Sequence, residues 1–155
     1  MNYQISRATD SDLPLMQRLF YQTVTIYGSK IFTKSEVKIF SRLALDKNHW
    51  KQKFVNDFIY NAKLNGEVIG SFTLSKSGEI EYVFVHQNYK GRGIAKKLYE
   101  TLEQVAKEAG IDTLTTNINS NTKGFFEKNG FKIIKTVEKV AGGEDVISYD
   151  GVKNI

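Results

Sequence analysis

The stretch Glu79-Ile80-Glu81-Tyr82-Val83-Phe84-Val85-His86-Gln87-Asn88-Tyr89-Lys90-Gly91-Arg92-Gly93-Ile94-Ala95 decides the fold. Its first half reads as a strand, about Glu79–Val85, and its second half as a polar loop with small residues at 91, 93 and 95. Beyond the loop, Ile94, Leu98, Leu102, Val105 and Ala109 fall at helical spacing. They predict a helix over 92–109, with Gly110 where a C′ glycine belongs. Thr113–Ile118 reads as the next strand. A strand, a helix and a further strand in succession form a right-handed crossover, so these two strands are expected to be parallel neighbours. Ligands in such folds bind beyond the carboxyl ends of the strands, which here means the loop after Val85.

Upstream, Phe58, Tyr60, Ala62 and Leu64 alternate with more polar residues, as do Val68, Phe72 and Leu74. The Asn65-Gly66 pair between them predicts a hairpin, because both turn residues must take positive φ. Lys76-Ser77-Gly78 then turns the chain into the strand at 79. The first third is helical after an opening strand at Tyr3–Ala8. Thr9-Asp10-Ser11-Asp12 can cap a helix, and Leu13, Met16, Phe20 and Tyr27 share one face of an expected helix over 12–27. Thr33-Lys34-Ser35-Glu36 has capping-box spacing, and Trp50 with Phe54 suggests a short third helix. Downstream, Asn121–Asn129 reads as a short helix. Phe131–Val140 and Val146–Asp150 read as a closing hairpin across Ala141–Asp145. The order β-α-α-(α)-β-β-β-α-β-α-β-β predicts an α/β (α+β) fold, a mixed sheet with helices on both faces.

At 155 residues and 41% hydrophobic content, one domain over residues 1–155 is expected. Folding at this length buries roughly 68–70% of the unfolded chain's surface. Charged residues make up 25%, the ordinary globular share, which argues against disorder. With no cysteine there is no disulfide framework, thiolate metal site or cysteine nucleophile, and His49 and His86 are too few for a His-rich metal centre. No G-x-S-x-G marks a hydrolase. The opening residues lack a signal-peptide pattern and no stretch approaches the roughly 18–20 apolar residues of a membrane span, so a soluble cytoplasmic protein without membrane partners is expected. Lysine and arginine total 22 against 17 acids, a net charge of +5 that suits an anionic ligand or simply a solvated surface.

In the loop, Gly91, Gly93 and Ala95 let the backbone approach a ligand. The amides of a new helix with its dipole form an anion cradle, and Lys90, Arg92 and Lys96 add charge at its rim. A tight strand-to-helix turn with no ligand accounts for the same glycines. A dinucleotide fingerprint is excluded by Lys96 three places beyond Gly93, and there is no Walker loop. The pattern K-x-x-G-x-A at Lys90–Ala95 resembles the Q/R-x-x-G-x-G/A signature of the GNAT superfamily, the acetyl-CoA-dependent N-acetyltransferases. Lysine at the first place keeps a cation but loses a planar fork. Ile5–Leu13 resembles the family's opening strand and helix cap. Glu81–Val85 resembles the strand before the pyrophosphate loop, and Asn119 with Phe125-Phe126-Glu127-Lys128-Asn129-Gly130-Phe131 resembles the later N-x-x-A-x-x-F-Y-x-x-x-G-F segment.

The resemblance implies a mostly antiparallel central sheet in which one parallel strand pair splays apart. Pantetheine of acetyl-CoA lies in the gap as a pseudo-strand. It implies that Val83 and Val85 offer backbone bonds to pantetheine, and that the Val83 amide also polarises the thioester. It further implies that Lys90, Gly91, Arg92, Gly93, Ile94, Ala95 and Lys96 hold the pyrophosphate. Asn119 falls where the family's asparagine contacts the cofactor arm, and it is equally placed to cap the following helix. Glu81 matches the family's acidic base position. Alternation with Tyr82 and Phe84 puts its carboxylate on the face of Val83 and Val85, where an ordinary exposed glutamate is the other reading. The family's tyrosine proton donor is replaced by Phe126, which is expected to pack near the cofactor sulfur without donating. Tyr82, Tyr89 and Tyr149 are the substitute donors.

The leading expectation is therefore acetyl transfer from acetyl-CoA to a primary amine, small-molecule or peptide, by direct attack in a ternary complex without a metal. A non-catalytic acyl-CoA-binding module of the same fold is the second reading, supported by Phe126. Nucleic-acid binding is the third and is ranked out, because the cluster of Lys90, Arg92, Lys96 and Lys97 matches a pyrophosphate better than a duplex. The assembly is expected to be a monomer or homodimer.

Overall fold

The computed structural model describes residues 2–141 and 143–155, the side chains at positions 29 and 141 excepted. The strands are β1 (Gln4–Arg7), β2 (Phe58–Leu64), β3 (Glu67–Leu74), β4 (Ile80–Val85), β5 (Thr113–Asn119), β6 (Lys132–Ala141) and β7 (Glu144–Asn154). The helices are α1 (Leu13–Gln22), α2 (Lys34–Leu45), α3 (Lys47–Asn56), α4 (Ile94–Glu108) and α5 (Lys123–Lys128). Their order along the chain is the one the sequence predicts. Of the connection expected across Ala141–Asp145, Gly142 lies outside the described residues. Among the described residues no helix is long and apolar enough to cross a membrane.

Local signals fix most element ends. Thr33 Oγ1 accepts from the Glu36 amide and Glu36 Oε1 accepts from the Thr33 amide, both at 3.1 Å, so the capping box opens α2. Asp46 Oδ1 accepts from the His49 amide at 3.1 Å and opens α3. At the β2–β3 turn, Asn65 and Gly66 take φ of 50° and 77°. One boundary differs from expectation. The regular part of the first helix stops at Gln22, and Thr23–Tyr27 forms a wider π turn. Thr23 Oγ1 donates to the Leu19 carbonyl and Thr25 Oγ1 to that of Tyr21, each at 2.7 Å. These hydroxyls compete for the carbonyls that a regular helix needs, within the β-branched run Thr23-Val24-Thr25-Ile26.

Two antiparallel sheets result, one in the order β1-β2-β3-β4 and one in the order β5-β7-β6. The last strand is longer than the sequence suggests because it runs between both of its neighbours. Two apolar clusters lie on opposite faces of the first sheet. One packs Phe72, Leu74 and Ile80 against Leu98, Tyr99 and Leu102 of α4. The other packs Ile59 and Val68 against Met16, Phe20 and Trp50 of α1 and α3. The helices thus cover both faces, as expected.

The sheets meet at the start of β4 and β5 through one parallel bridge, Glu79 to Thr115. There the Thr115 amide donates to the Gly78 carbonyl at 2.9 Å, and Thr116 Oγ1 donates to the Ile80 carbonyl at 3.0 Å. Beyond these bonds the strands part, so the expected parallel pair exists only at its root. Gly78 sits at that root with φ of 98°, and a Cβ there would lie 2.3 Å from the Thr113 carbonyl oxygen. Gly78→Ala therefore forces both a left-handed conformation and a backbone clash. We expect it to cost at least ~2 kcal/mol, a fall of roughly 4–8 °C in melting temperature. Thermal denaturation followed by circular dichroism measures it, and an unchanged transition would mean the junction tolerates separation.

Candidate active site

The parting strands open a cleft of about 770 Å3. Its floor is β4, and β4 is irregular. Thr73 pairs with Glu81 and Ser71 with Phe84, so β4 carries one more residue than β3 over that interval, and Tyr82 takes φ of 53°. This β-bulge resets the alternation of the strand. Ile80, Val83 and Val85 pack toward α4, while Tyr82 and Phe84 pack toward α1 and α3. The expectation that Glu81 shares the face of Val83 and Val85 is thereby corrected. Its Oε2 accepts from Lys53 Nζ of α3 at 2.7 Å, on the side of Tyr82.

The loop after β4 forms the wall at the carboxyl end. Gly91 and Gly93 take φ of 77° and 81°, and a Cβ on either would meet nothing within 4 Å. Glycine is required there for conformation, and the space beside it is open. Gly93 precedes α4 without offering a capping side chain, and the first intrahelical bond runs from the Lys97 amide to the Gly93 carbonyl. The amides of Ile94, Ala95 and Lys96 therefore have no helical acceptor. Lys90, Gly91, Gly93, Ile94, Ala95 and Lys96 all line the cleft. Arg92 is not among the lining residues; its guanidinium lies 5.5 Å from the centre of the Tyr89 ring. Uncapped amides, a helix dipole and two ammonium groups at one end suit a polyphosphate-bearing ligand such as coenzyme A.

Asn119 lines the cleft at the end of β5, and its Oδ1 accepts from the Thr122 amide at 3.0 Å. The helix-capping alternative is not taken: Thr122 stands at the N-cap of α5, and the Asn119 oxygen closes the turn before it. Phe126 is 1% exposed and packs 5.2 Å from the rings of both Phe125 and Phe131. It forms apolar wall and offers no proton. Of the three tyrosines considered as donors, Tyr82 and Tyr89 line the cleft and Tyr149 does not; the Tyr149 ring carries Lys123 at 4.9 Å.

The opposite end is acidic. Lys53 bridges Glu81 and Asp57, at 2.7 and 3.1 Å, and its ammonium also lies 5.3 Å from the centre of the Tyr82 ring. Burial pulls the Lys53 pKa down, but its bonds to the two carboxylates outweigh this and leave it raised. Glu79 also lines the cleft; burial and the neighbouring Glu81 charge raise its pKa against the opposing pull of Lys53. The Tyr82 hydroxyl meets His49 Nε2 at 2.8 Å. Burial raises the phenol, while burial and the Lys53 charge lower the imidazole, so both are neutral near pH 7. Among the described residues no group of His, Asp and Glu is arranged to hold a metal.

Sequence reasoning missed Glu79, Lys53 and His49. Glu79-Ile80-Glu81 signals a paired carboxylate in hindsight, and Lys53 and Asp57 at i,i+4 signal a charged helix end. The bulge that brings these groups together has no short-range signature.

The family model for the Acetyltransferase (GNAT) family matches residues 26–131, and the chain belongs to that family. It is an acetyl-CoA-dependent acyltransferase. The uncharacterized N-acetyltransferase YafP of Escherichia coli is 26% identical over 134 residues, 86% of this chain and 84% of that protein. A GCN5-related N-acetyltransferase from Rhodopseudomonas palustris superposes with a TM-score of 0.87 at 19% identity, covering 100% of this chain and 97% of that one. The PaiA N-acetyltransferase of Thermoplasma acidophilum, solved with coenzyme A, superposes at 0.82 and 19% identity over the whole of both chains.

The raised Glu79 pKa carries a stability prediction. A carboxyl whose folded pKa lies above its unfolded value is least favourable when ionised in the fold. Its contribution is present below the ordinary value of 4.5 and is lost as pH rises through the folded pKa. Glu79→Gln should therefore melt above the parent at neutral pH, with the gap closing below pH 4.5. Melting temperatures across pH 3.5–8 check this, and a gap that widens toward acid would reverse the assignment.

Proposed function

We propose that the protein moves an acetyl group from acetyl-CoA to a primary amine by direct attack in a ternary complex. The observation that carries this reading is the cleft's polarity: an anion cradle at the α4 end and two carboxylates at the other, with the β4 bulge between them. Lys90, Gly91, Gly93, Ile94, Ala95 and Lys96 would hold the pyrophosphate, with Arg92 at the rim. Val83 and Val85 would offer backbone bonds to pantetheine along the free β4 edge, and Asn119 would meet the cofactor arm. The Val83 amide, beside the bulge, would polarise the thioester carbonyl.

Glu81 takes a proton from the acceptor's ammonium, and the neutral amine so formed attacks the thioester carbonyl and sheds its second proton by the same route. Lys53 holds one oxygen and keeps the carboxylate aimed, leaving the other oxygen for the substrate. Glu79, beside it and with a raised affinity for protons, passes the proton to solvent. The new C–N bond replaces the C–S bond, and coenzyme A departs as thiolate. With Phe126 at the usual donor position, departure relies on the acidity of a thiol, whose pKa is about 8.5. The chain has no cysteine to carry an acyl group, which supports direct attack.

Acetyl-CoA at ~100 times its dissociation constant should add about 2.7 kcal/mol of stability. Gly93→Glu, which places bulk and negative charge in the cradle, should abolish that shift while the fold still melts cooperatively. Absence of any shift in the parent would sink the proposal. Glu81→Gln should lower turnover ~10²-fold with the acetyl-CoA shift intact. A Glu81→Gln enzyme with parental turnover from pH 6 to 9 would remove Glu81 from the mechanism.

A further inference from the structure

Resting on the transferase reading, we infer that the acceptor is a primary amine carried on an aromatic body that bears no carboxylate. The acceptor half of the cleft is walled by Phe20, Ile31, Phe32 and Phe40 from the helical layer and by Tyr82 and Phe84 from β4. Its rings are already arranged edge to face, Phe32 to Phe40 at 5.1 Å and Phe20 to Tyr82 at 5.5 Å. A further aromatic ring continues that packing and gains both burial and quadrupole contacts.

Charge narrows the class. The carboxylates that line the cleft, Glu79 and Glu81, lie at this end, and the lysines that line it, Lys90 and Lys96, lie on the cofactor loop and the first turn of α4. An ammonium group entering among the phenyl rings therefore ends beside acid. A free amino acid would bring its α-carboxylate to the same place. The nearest cation there, Lys53, is already bonded to Glu81 and Asp57. A polyamine has no apolar body to fill the ring-lined half and gives up the hydration of its second ammonium there.

The test measures release of free thiol from acetyl-CoA with 2-phenylethylamine, ethylamine, L-phenylalanine and spermidine as acceptors, beside the acetyl-CoA melting shift. We expect kcat/KM for 2-phenylethylamine to exceed that for ethylamine by at least ~10-fold, the least that burying one phenyl ring should give, and to exceed those for L-phenylalanine and spermidine as well. Phe32→Ala should raise the KM for 2-phenylethylamine ~10-fold, a larger rise than it causes for ethylamine. Should that variant fail to melt cooperatively, the parent's ratios alone decide. Equal or better use of ethylamine, L-phenylalanine or spermidine would overturn the inference, as would a protein that binds acetyl-CoA and acetylates none of the four. A parent with no acetyl-CoA shift would overturn the transferase reading and this inference with it.

Discussion

Between β4 and β5 the backbone makes a single bridge, at Glu79 and Thr115, and the cleft exists because pairing stops there. Parallel strands ordinarily continue their ladder, since each step satisfies an N–H and a C=O group. Here the next bond past the bridge comes from a side chain, Thr116 Oγ1, which occupies the Ile80 carbonyl. The bulge at Tyr82 then twists β4 away. Both faces of its outer half are held, Val83 and Val85 toward α4 and Phe84 against Phe20 at 4.5 Å. The strand cannot collapse across the gap to pair with β5. A free sheet edge seeks a partner, and in the proposed function an extended pantetheine arm with its two amides would supply one.

The same geometry explains why the two ends of the cleft differ in charge although the chain as a whole carries +5. At the carboxyl end a helix begins without a capping side chain, so its partial positive charge, roughly half an elementary charge, faces the cleft beside Lys90 and Lys96. At the bulge, Glu81 leans away from that end toward α3. Lys53 meets it there and leaves Glu79 as the carboxylate without a cation at hydrogen-bond distance among the described bonds. Net charge reports neither feature. The polarity comes from where the helix starts and which way the strand turns.

Much of this was legible in the sequence. Asn65-Gly66, the capping box at Thr33 and the helical spacing from Ile94 each act through neighbours within a few residues, and each element appears where they put it. The loop glycines were legible for the same reason, because positive φ is a local demand. Glu81 shows where such reading ends. Its side was inferred from strict alternation, and alternation fails when one residue is inserted opposite a neighbouring strand. The cause is tertiary: Tyr82 accepts a strained conformation because Phe20, Trp50 and His49 hold its ring and hydroxyl. The π turn after α1 is less legible, because the sequence shows the threonine hydroxyls but not that they win the Leu19 and Tyr21 carbonyls from the helix.

Tyr82 links the core to the chemistry. A bulky residue at φ of 53° costs on the order of 1–3 kcal/mol, and such strain persists only where surroundings over-determine it. Around Tyr82 they do. Trp50 packs 5.4 Å away and Phe20 5.5 Å away, the Lys53 ammonium lies beside its ring, and His49 binds its hydroxyl. Three of these four come from α3, a helix none of whose residues lines the cleft. The backbone that α3 clamps is the one that carries Glu81 on one side and the Val83 amide on the other. Loosening α3 would therefore let β4 regain its regular pleat, moving the proposed base and the proposed thioester-polarising amide together. On the proposed mechanism α3 would act through the backbone it strains, and substitutions there should change turnover without meeting either substrate.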